Sequence, residues 1–413
     1  MEKQYTLYGD GIHDDYPAIQ EMLDSGSCQV ELPAPAVRYQ ISKTLVISSG
    51  CKLKLPRFAH IRLMDGSNCM MLQSKTVYKP ASRLAADMPE RAFQAFGFVN
   101  RFSVDPEDIC HDFEIEGGIW DCNNMNQLPN PQQSKDFGPN GDFYGYGMLF
   151  YNARNFRLAN MTLKDPTNYA ITLDLASYFT CENITFDFND GNPYAVNMDG
   201  IHLNGNCHYG VIRNLQGACY DDLVALNAHE GTRGDITNLD IEGIFAENCH
   251  SAIRLLTVTD AIRNIRIANV YGTYYQYCIG FTKHYPGETT GCFDAIRLEN
   301  IFAAKAKRLP VQEMHMGDTN YHFPFIWMQD GTVIKHISIH GLHRREQNNP
   351  IATIRVEPDA LVERMMLQDV TLENLTGAHC PVLENLGTIQ YLSLQDVPET
   401  ALEGSGTIEC RGK

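Results

Sequence analysis

Three observations predict an all-β fold, a right-handed parallel β-helix (a solenoid) with a short N-terminal capping helix. Short apolar-alternating segments recur along the chain. Helical patterning is absent between them. Each segment is too small to bury its own apolar face, so stacking of successive coils must supply the core. The 413 residues are 44% hydrophobic and 20% charged, enough apolar material for a long core.

The elements follow in order. "DDYPAIQEMLDSG" (Asp14–Gly26) reads as the capping helix. Asp14 or Asp15 can cap it, Pro17 suits its first turn, and Ile19, Met22 and Leu23 form its apolar stripe before Gly26 stops it. The coils are marked by segments such as "NFRLANMTL", "CENITFDF", "DITNLDIEGIFAEN" and "VIKHISIHGLH". Their equivalent positions are Asn155, Asn183, Asn214, Asn238, Asn264, Ala295, His336, Arg364 and Tyr391, spaced 24 to 41 residues apart. The widest gap holds an excursion over Lys305–Phe325. A propeller would need a steady blade period of about 40–45 residues, which is missing. With no linker in sight, 1–413 reads as one domain. The cap and first coils occupy 1–75, a loop-rich insertion 76–147 and regular coils 148–413.

Charge and cysteines narrow the function. Lys and Arg number 33 against 50 Asp and Glu, a net charge of -17. Such a surface repels phosphate backbones and anionic headgroups, so neither nucleic acid nor membrane is expected as a partner. No apolar run approaches the roughly 18 residues of a membrane span. The thirteen cysteines are odd in number, scattered and without a CxxC pair. Buried reduced thiols are expected at Cys181, Cys219, Cys249 and Cys278, with no structural zinc. The opening residues have no apolar leader pattern, so a cytoplasmic location is expected, or a secreted or periplasmic one if a leader has been removed.

The chemistry concentrates at Asp199, Asp221 and Asp222. The step from Asp199 to Asp222 is 23 residues, about one coil, and stacked strands lie about 4.8 Å apart. Adjacent strand residues point to opposite faces, so bringing both Asp221 and Asp222 to one site needs a turn or bulge. Clustered carboxylates repel, and one should hold a proton near neutral pH. Glycoside hydrolysis needs that pairing of an acid with a base. The alternative is that these aspartates cap turns or bind a structural cation. Arg254, inside the apolar "AIRLL", must pair or face a cleft. Asn197, His229, Lys283, His284 and Tyr285 complete the candidate substrate-binding set. His229 ranks ahead of His202 and His284 because it directly follows the acidic strand. "YGTYYQY" (Tyr271–Tyr277) offers stacking platforms for sugars or ordinary core aromatics, and "HRRE" (His343–Glu346) reads as a solvated charged turn.

Two segments resemble known families. "LYGDGIHDDYPAIQEMLDSG" (Leu7–Gly26) looks like the opening of polygalacturonase-type and pectate-lyase-type β-helices. "NMDGIH" (Asn197–His202) followed by "YDDLVAL" (Tyr220–Leu226) resembles the core of glycoside hydrolase family 28, with its Asn-x-Asp-Gly motif and Asp-Asp pair. "SAIRLLT" (Ser251–Thr257) matches the family's Arg-Ile-Lys motif in Arg254 only; Leu256 stands at the lysine. "CIGFTKHY" (Cys278–Tyr285) resembles the strand ending in the family's active-site tyrosine. The family's Gly-His-Gly motif is missing, with His229 the candidate replacement. The resemblance implies an inverting hydrolase acting on a poly- or oligosaccharide without a cofactor. Asp221 would be the general acid, and Asp199 with Asp222 the water-activating base. An acid and base with a water between them should stand about 6.5–9.5 Å apart. The rivals are a uronic-acid lyase or epimerase, using Ca²⁺ to neutralise the substrate carboxylate, and a non-catalytic carbohydrate-binding β-helix. A homo-oligomer is left open.

Overall fold

The computed structural model describes residues 6–76, 108–128, 145–188, 197–285, 290–308, 318–397 and 402–412. Parallel strands wind into stacked coils, giving the right-handed parallel β-helix. One sheet is a ladder of short strands running from Leu45–Ile47 through Ile201–Asn204, Asp222–Asn227, Ser251–Leu256 and Ile279–Thr282 to Leu402–Glu403. The other, longer sheet holds strands of up to fourteen residues, such as Ile236–Cys249, Ala261–Tyr274 and Val333–Glu346.

The core is built from in-register columns. In the short-strand sheet Ile171, Ile201, Val224, Ile253, Ile279, Ile326 and Ile354 stack coil upon coil, all fully buried. β-Branched side chains suit this role because they pack face to face on a pleated surface. In the long sheet Phe113, Phe156 and Phe179 stack with centroids 4.9 and 5.8 Å apart. The next coil carries Gly210, where a Cβ would meet the Phe179 ring at 2.1 Å, so only glycine closes the column.

The long strands bend at left-handed residues, and here the register corrects the sequence reading. Two columns exist. One runs Asp112, Asn155, Tyr178, Tyr209, Asn238, Asn264 and Ala295, with φ between 52° and 60°, then His336, Arg364 and Tyr391. The second holds Asn160, Asn183, Asn214, Gly243, Asn269, Asn300, Gly341, Asp369 and Asp396, all at positive φ. Asn183 and Asn214 therefore belong to the second column, not beside Asn155. Asn and Gly are favoured at such kinks because they tolerate left-handed backbone. Side-chain amides link successive rungs, Asn183 Nδ2 to Asn160 Oδ1 at 2.9 Å and Asn214 Nδ2 to Asn183 Oδ1 at 3.0 Å.

The capping helix is Tyr16–Asp24, with Ile19 and Leu23 buried. The Asp14 carboxylate accepts from the Tyr16 amide at 3.0 Å. Asp15 does not cap; it is buried and accepts from the amides of Tyr8, Gly9 and Gln40, tying the helix entry to the first coil. The expected insertion over 76–147 needs revision where it is described. Cys110–Glu116 and Ile119–Asp121 are strands in register with the coils on either side. The remainder of that span, and 309–317 of the Lys305–Phe325 excursion, lie outside the described residues. All thirteen cysteines are free, and Cys181, Cys219, Cys249 and Cys278 are buried as expected. "HRRE" is no solvated turn. It ends the strand Val333–Glu346, and Arg344 and Glu346 are fully buried against each other because the strand turns them inward.

Candidate active site

The outer face of the short-strand sheet carries the acidic cluster. Register sets Asp199 directly above Asp222, since Ile201 pairs with Val224 two residues on. Asp221 sits in the bend just before the strand Asp222–Asn227, which lets neighbouring residues share one site. Ligand oxygens of all three lie within 4.8 Å of one another. They are buried, with 2%, 2% and 0% exposure for Asp199, Asp221 and Asp222.

Arg254, one coil further, binds two of them. Its Nη2 donates to Asp221 Oδ1 at 3.1 Å, and its Nε lies 2.8 Å from Asp222 Oδ2. The same Nε donates to the Tyr277 hydroxyl at 2.9 Å, and that hydroxyl donates to Asp222 Oδ1 at 3.3 Å. The Tyr277 ring lies over Gly280 of its own coil, where a Cβ would meet the ring at 2.7 Å.

A second network holds Asp199. Its Oδ1 accepts from the Asp222 amide at 2.9 Å, and its Oδ2 lies 2.6 Å from His202 Nδ1. His202 Nε2 lies 3.0 Å from Glu230 Oε2, and the Tyr285 hydroxyl donates to the other Glu230 oxygen. The imidazole stacks on Tyr169 with centroids 3.7 Å apart. Burial opposes a charge on His202, but the two carboxylates outweigh it and raise its pKa to about 10. Burial would raise Glu230; His202, Tyr285 and Asn227 reverse that and hold it at about 2.

Two of the aspartates are shifted toward holding a proton. Burial pushes Asp221 well above the usual carboxylate range, with Arg254 opposing and the Asp222 and Asp199 charges adding to the rise. Burial raises Asp222 to about 7, against the pull of Arg254 and with the push of Asp199. The carboxylates are close enough to share a cation, but Arg254 already brings positive charge to two of them. One oxygen of each carboxyl comes within 4.8 Å of the others, because stacking on adjacent coils and the shared Arg254 draw the three together.

The other candidates divide. Tyr285 joins the cluster through Glu230. His229 does not; its ring packs on Tyr285 at 5.1 Å, its Nδ1 has no hydrogen-bond partner, and burial lowers its pKa. The histidine at the triad is His202, which sits on the coil of Asp199 rather than one coil later. Lys283 lies at the far edge of the face, its ammonium against the Gly331 turn. His284 is exposed, its ring 6.0 Å from Trp327. Asn197 takes a left-handed backbone at φ 57° two residues before Asp199. Of the tyrosine run, Tyr271 stacks between Phe245 and Phe302, Tyr274 and Tyr275 are buried, and Tyr277 reaches the site. Sequence reasoning does not reach Glu230, and it reaches Tyr277 only as a stacking candidate within the tyrosine run. The available signal was register, since Tyr277 and Ser251 continue the column of Asp199 and Asp222.

No family model matches the chain, and no curated protein does. Solved structures do. The chain is similar to a Yersinia enterocolitica family 28 exopolygalacturonase at 13% identity and TM-score 0.57, covering 97% of this chain and 76% of that one. It is similar to a Thermotoga maritima exopolygalacturonase at 14% identity and TM-score 0.57, covering 95% and 90%. It is also similar to the tailspike protein of E. coli bacteriophage HK620, solved with a pentasaccharide, at 13% identity and TM-score 0.56, covering 93% and 67%. At these identities the likeness is one of fold.

Proposed function

We propose that the protein is a polygalacturonase-like glycoside hydrolase that cleaves a glycosidic bond in a poly- or oligosaccharide. One observation carries the reading. Asp221, a carboxyl that burial raises well above the usual range, has an oxygen within 4.8 Å of carboxylate oxygens of Asp199 and Asp222. Two of the similar folds belong to exopolygalacturonases, and a third is a tailspike solved with a pentasaccharide. The chemistry is balanced. Asp221 gives its proton to the glycosidic oxygen as the C–O bond breaks. A water adds its oxygen to the anomeric carbon and passes a proton to the Asp199–Asp222 pair.

Oxygens this close raise the retaining alternative, whose two carboxyl groups stand about 5–5.5 Å apart. A retaining path needs a nucleophilic carboxylate that reaches the sugar. Asp222 is fully buried, and both Asp199 oxygens are engaged by the Asp222 amide and His202. Inversion, with water held jointly by Asp199 and Asp222, is therefore the proposed course. The cluster opens toward Arg254 and Glu230, whose side chains keep 14% and 15% exposure.

The test is reducing-sugar release from a panel of plant and bacterial oligosaccharides by the wild type and by Asp222→Asn. Release by the wild type and its loss in the variant supports the role; equal release by both overturns it. Proton NMR of the first-formed anomer decides the stereochemistry.

A further inference from the structure

We infer that the sugar unit bound beside the triad is uncharged, a neutral glycoside or an esterified one rather than a free uronic acid. The inference rests on the hydrolase reading and specifies its substrate.

The argument is the charge balance of the site. Four carboxylates converge, Asp199, Asp221, Asp222 and Glu230, against two cations, Arg254 and His202. Both cations are occupied by the protein itself. Arg254 spans Asp221 and Asp222 and adds a bond to Tyr277. His202 is held between Asp199 and Glu230, one ring nitrogen on each. Burial favours a proton on Asp221 and raises Asp222 to about 7, so Asp199 and Glu230 match the two cations and any ionised Asp222 is surplus negative charge. Just beyond, Asp174 adds another buried carboxylate, joined to His202 through Asn204. A uronate carboxylate entering here would meet net negative charge, and would compete with Asp221 and Asp222 for Arg254.

The surrounding candidates do not reverse this. Leu256, at the position where the family resemblance implies a lysine, is buried in the strand beside Asn227. Lys283 directs its ammonium to the Gly331 turn. Burial keeps His229 in its neutral form. A neutral sugar faces no such conflict, because its hydroxyls can donate to carboxylate oxygens and need no cation.

The experiment compares three probes on the purified full chain. They are oligogalacturonides, the same oligogalacturonides with methyl-esterified carboxyls, and neutral galactan and rhamnan fragments. Cleavage of the ester or neutral probes with kcat/KM about a hundredfold above the free acids is the expected result. Raising ionic strength should narrow that gap, since screening weakens charge repulsion but not a steric mismatch. Preferential cleavage of the free acids overturns the inference and leaves the hydrolase reading standing. Cleavage of none of the probes, with no product detectable by mass spectrometry, removes both.

Discussion

Two buried charge clusters lie in this solenoid, and they are built to opposite plans. Around Arg344, Glu346 and Lys305 every group is satisfied. Arg344 donates to Glu346 Oε2 from two nitrogens at 2.8 and 2.6 Å, to the carbonyls of Ile351 and Asn349, and to Thr353. Glu346 Oε1 accepts from the amides of Asn348 and Asn349. Lys305, whose pKa burial and the Arg344 charge push well down, donates to the carbonyls of Gln276 and Phe323. Around Asp199 the acids outnumber the cations, protons are held against the usual carboxylate range, and the edge at Arg254 stays open. A closed, saturated cluster holds coils together. An open one with surplus acid holds protons that can be given away, and the price is stability.

The sharpest test of that contrast is Asp221→Asn. If the surplus acid is chemical, kcat should fall about 10²–10⁴-fold. Stability should not fall with it, and its pH dependence should change. Asp221 and Asp222 have folded-state pKa values above the 3.8 of a free aspartate, so the folded protein binds the more protons. Their contribution therefore weakens stability as pH rises from about 4 toward about 7. The Asn variant, measured by urea unfolding across that range, should lose less than the wild type. An equal slope would show that Asp221 is ionised in the fold.

The mirror test is Glu346→Gln. Removing one partner of a saturated buried pair strands the Arg344 charge and should cost about 3–5 kcal/mol. The folded fraction that remains should keep its activity. A loss of kcat with little change in unfolding midpoint would erase the distinction between the clusters.

Glu230→Gln probes the boundary between the two plans, because Glu230 is a saturated residue inside the open cluster. It should cost about 1.5–3 kcal/mol through the charged bond to His202. The sign follows from His202. Its pKa rises from 6.5 to about 10 on folding, so its stabilisation is complete below about pH 6.5 and lost as pH climbs through about 10. The wild type should weaken over that window and the variant should show a flatter profile. Parallel profiles would mean that His202 is neutral in the fold.

These outcomes also explain what was legible in the chain. The solenoid was, because every coil repeats apolar alternation and left-handed Asn kinks. Asp199, Asp221 and Asp222 were, because one coil of spacing brings equal positions together. Nearness in sequence points to His229, whereas facing depends on register, which sets His202 against Asp199. His202 is next in line after Thr172 and before Ala225 on the outer face, and Ala225 precedes Arg254 there. "HRRE" was misread since composition alone cannot tell a solvated turn from a strand end whose alternate residues point into the core. The two kink columns were merged because both favour Asn and lie five residues apart on each coil.

That merger suggests the mildest test, at the regular end of the molecule. Ala295 occupies the first kink column at φ 52°, exposed, where its neighbours on preceding coils are Asn238 and Asn264. An alanine there bears the clash between Cβ and carbonyl that makes left-handed backbone unfavourable, with no side-chain amide in return. Asn264 Nδ2 already donates to Asn238 Oδ1 at 3.1 Å. Ala295→Asn should extend that run by one rung and stabilise the protein by about 1 kcal/mol. Catalysis should not change, since the column lies on the long sheet, away from the acidic face. The control is Ala295→Gly, which relieves the backbone but adds no amide. If both variants gain equally, backbone relief alone explains the preference for Asn along the column. If only Asn gains, the amide ladder itself holds the coils in register. If neither gains, the kink at Ala295 is unstrained, and the repeat that made this fold readable marks geometry without energy.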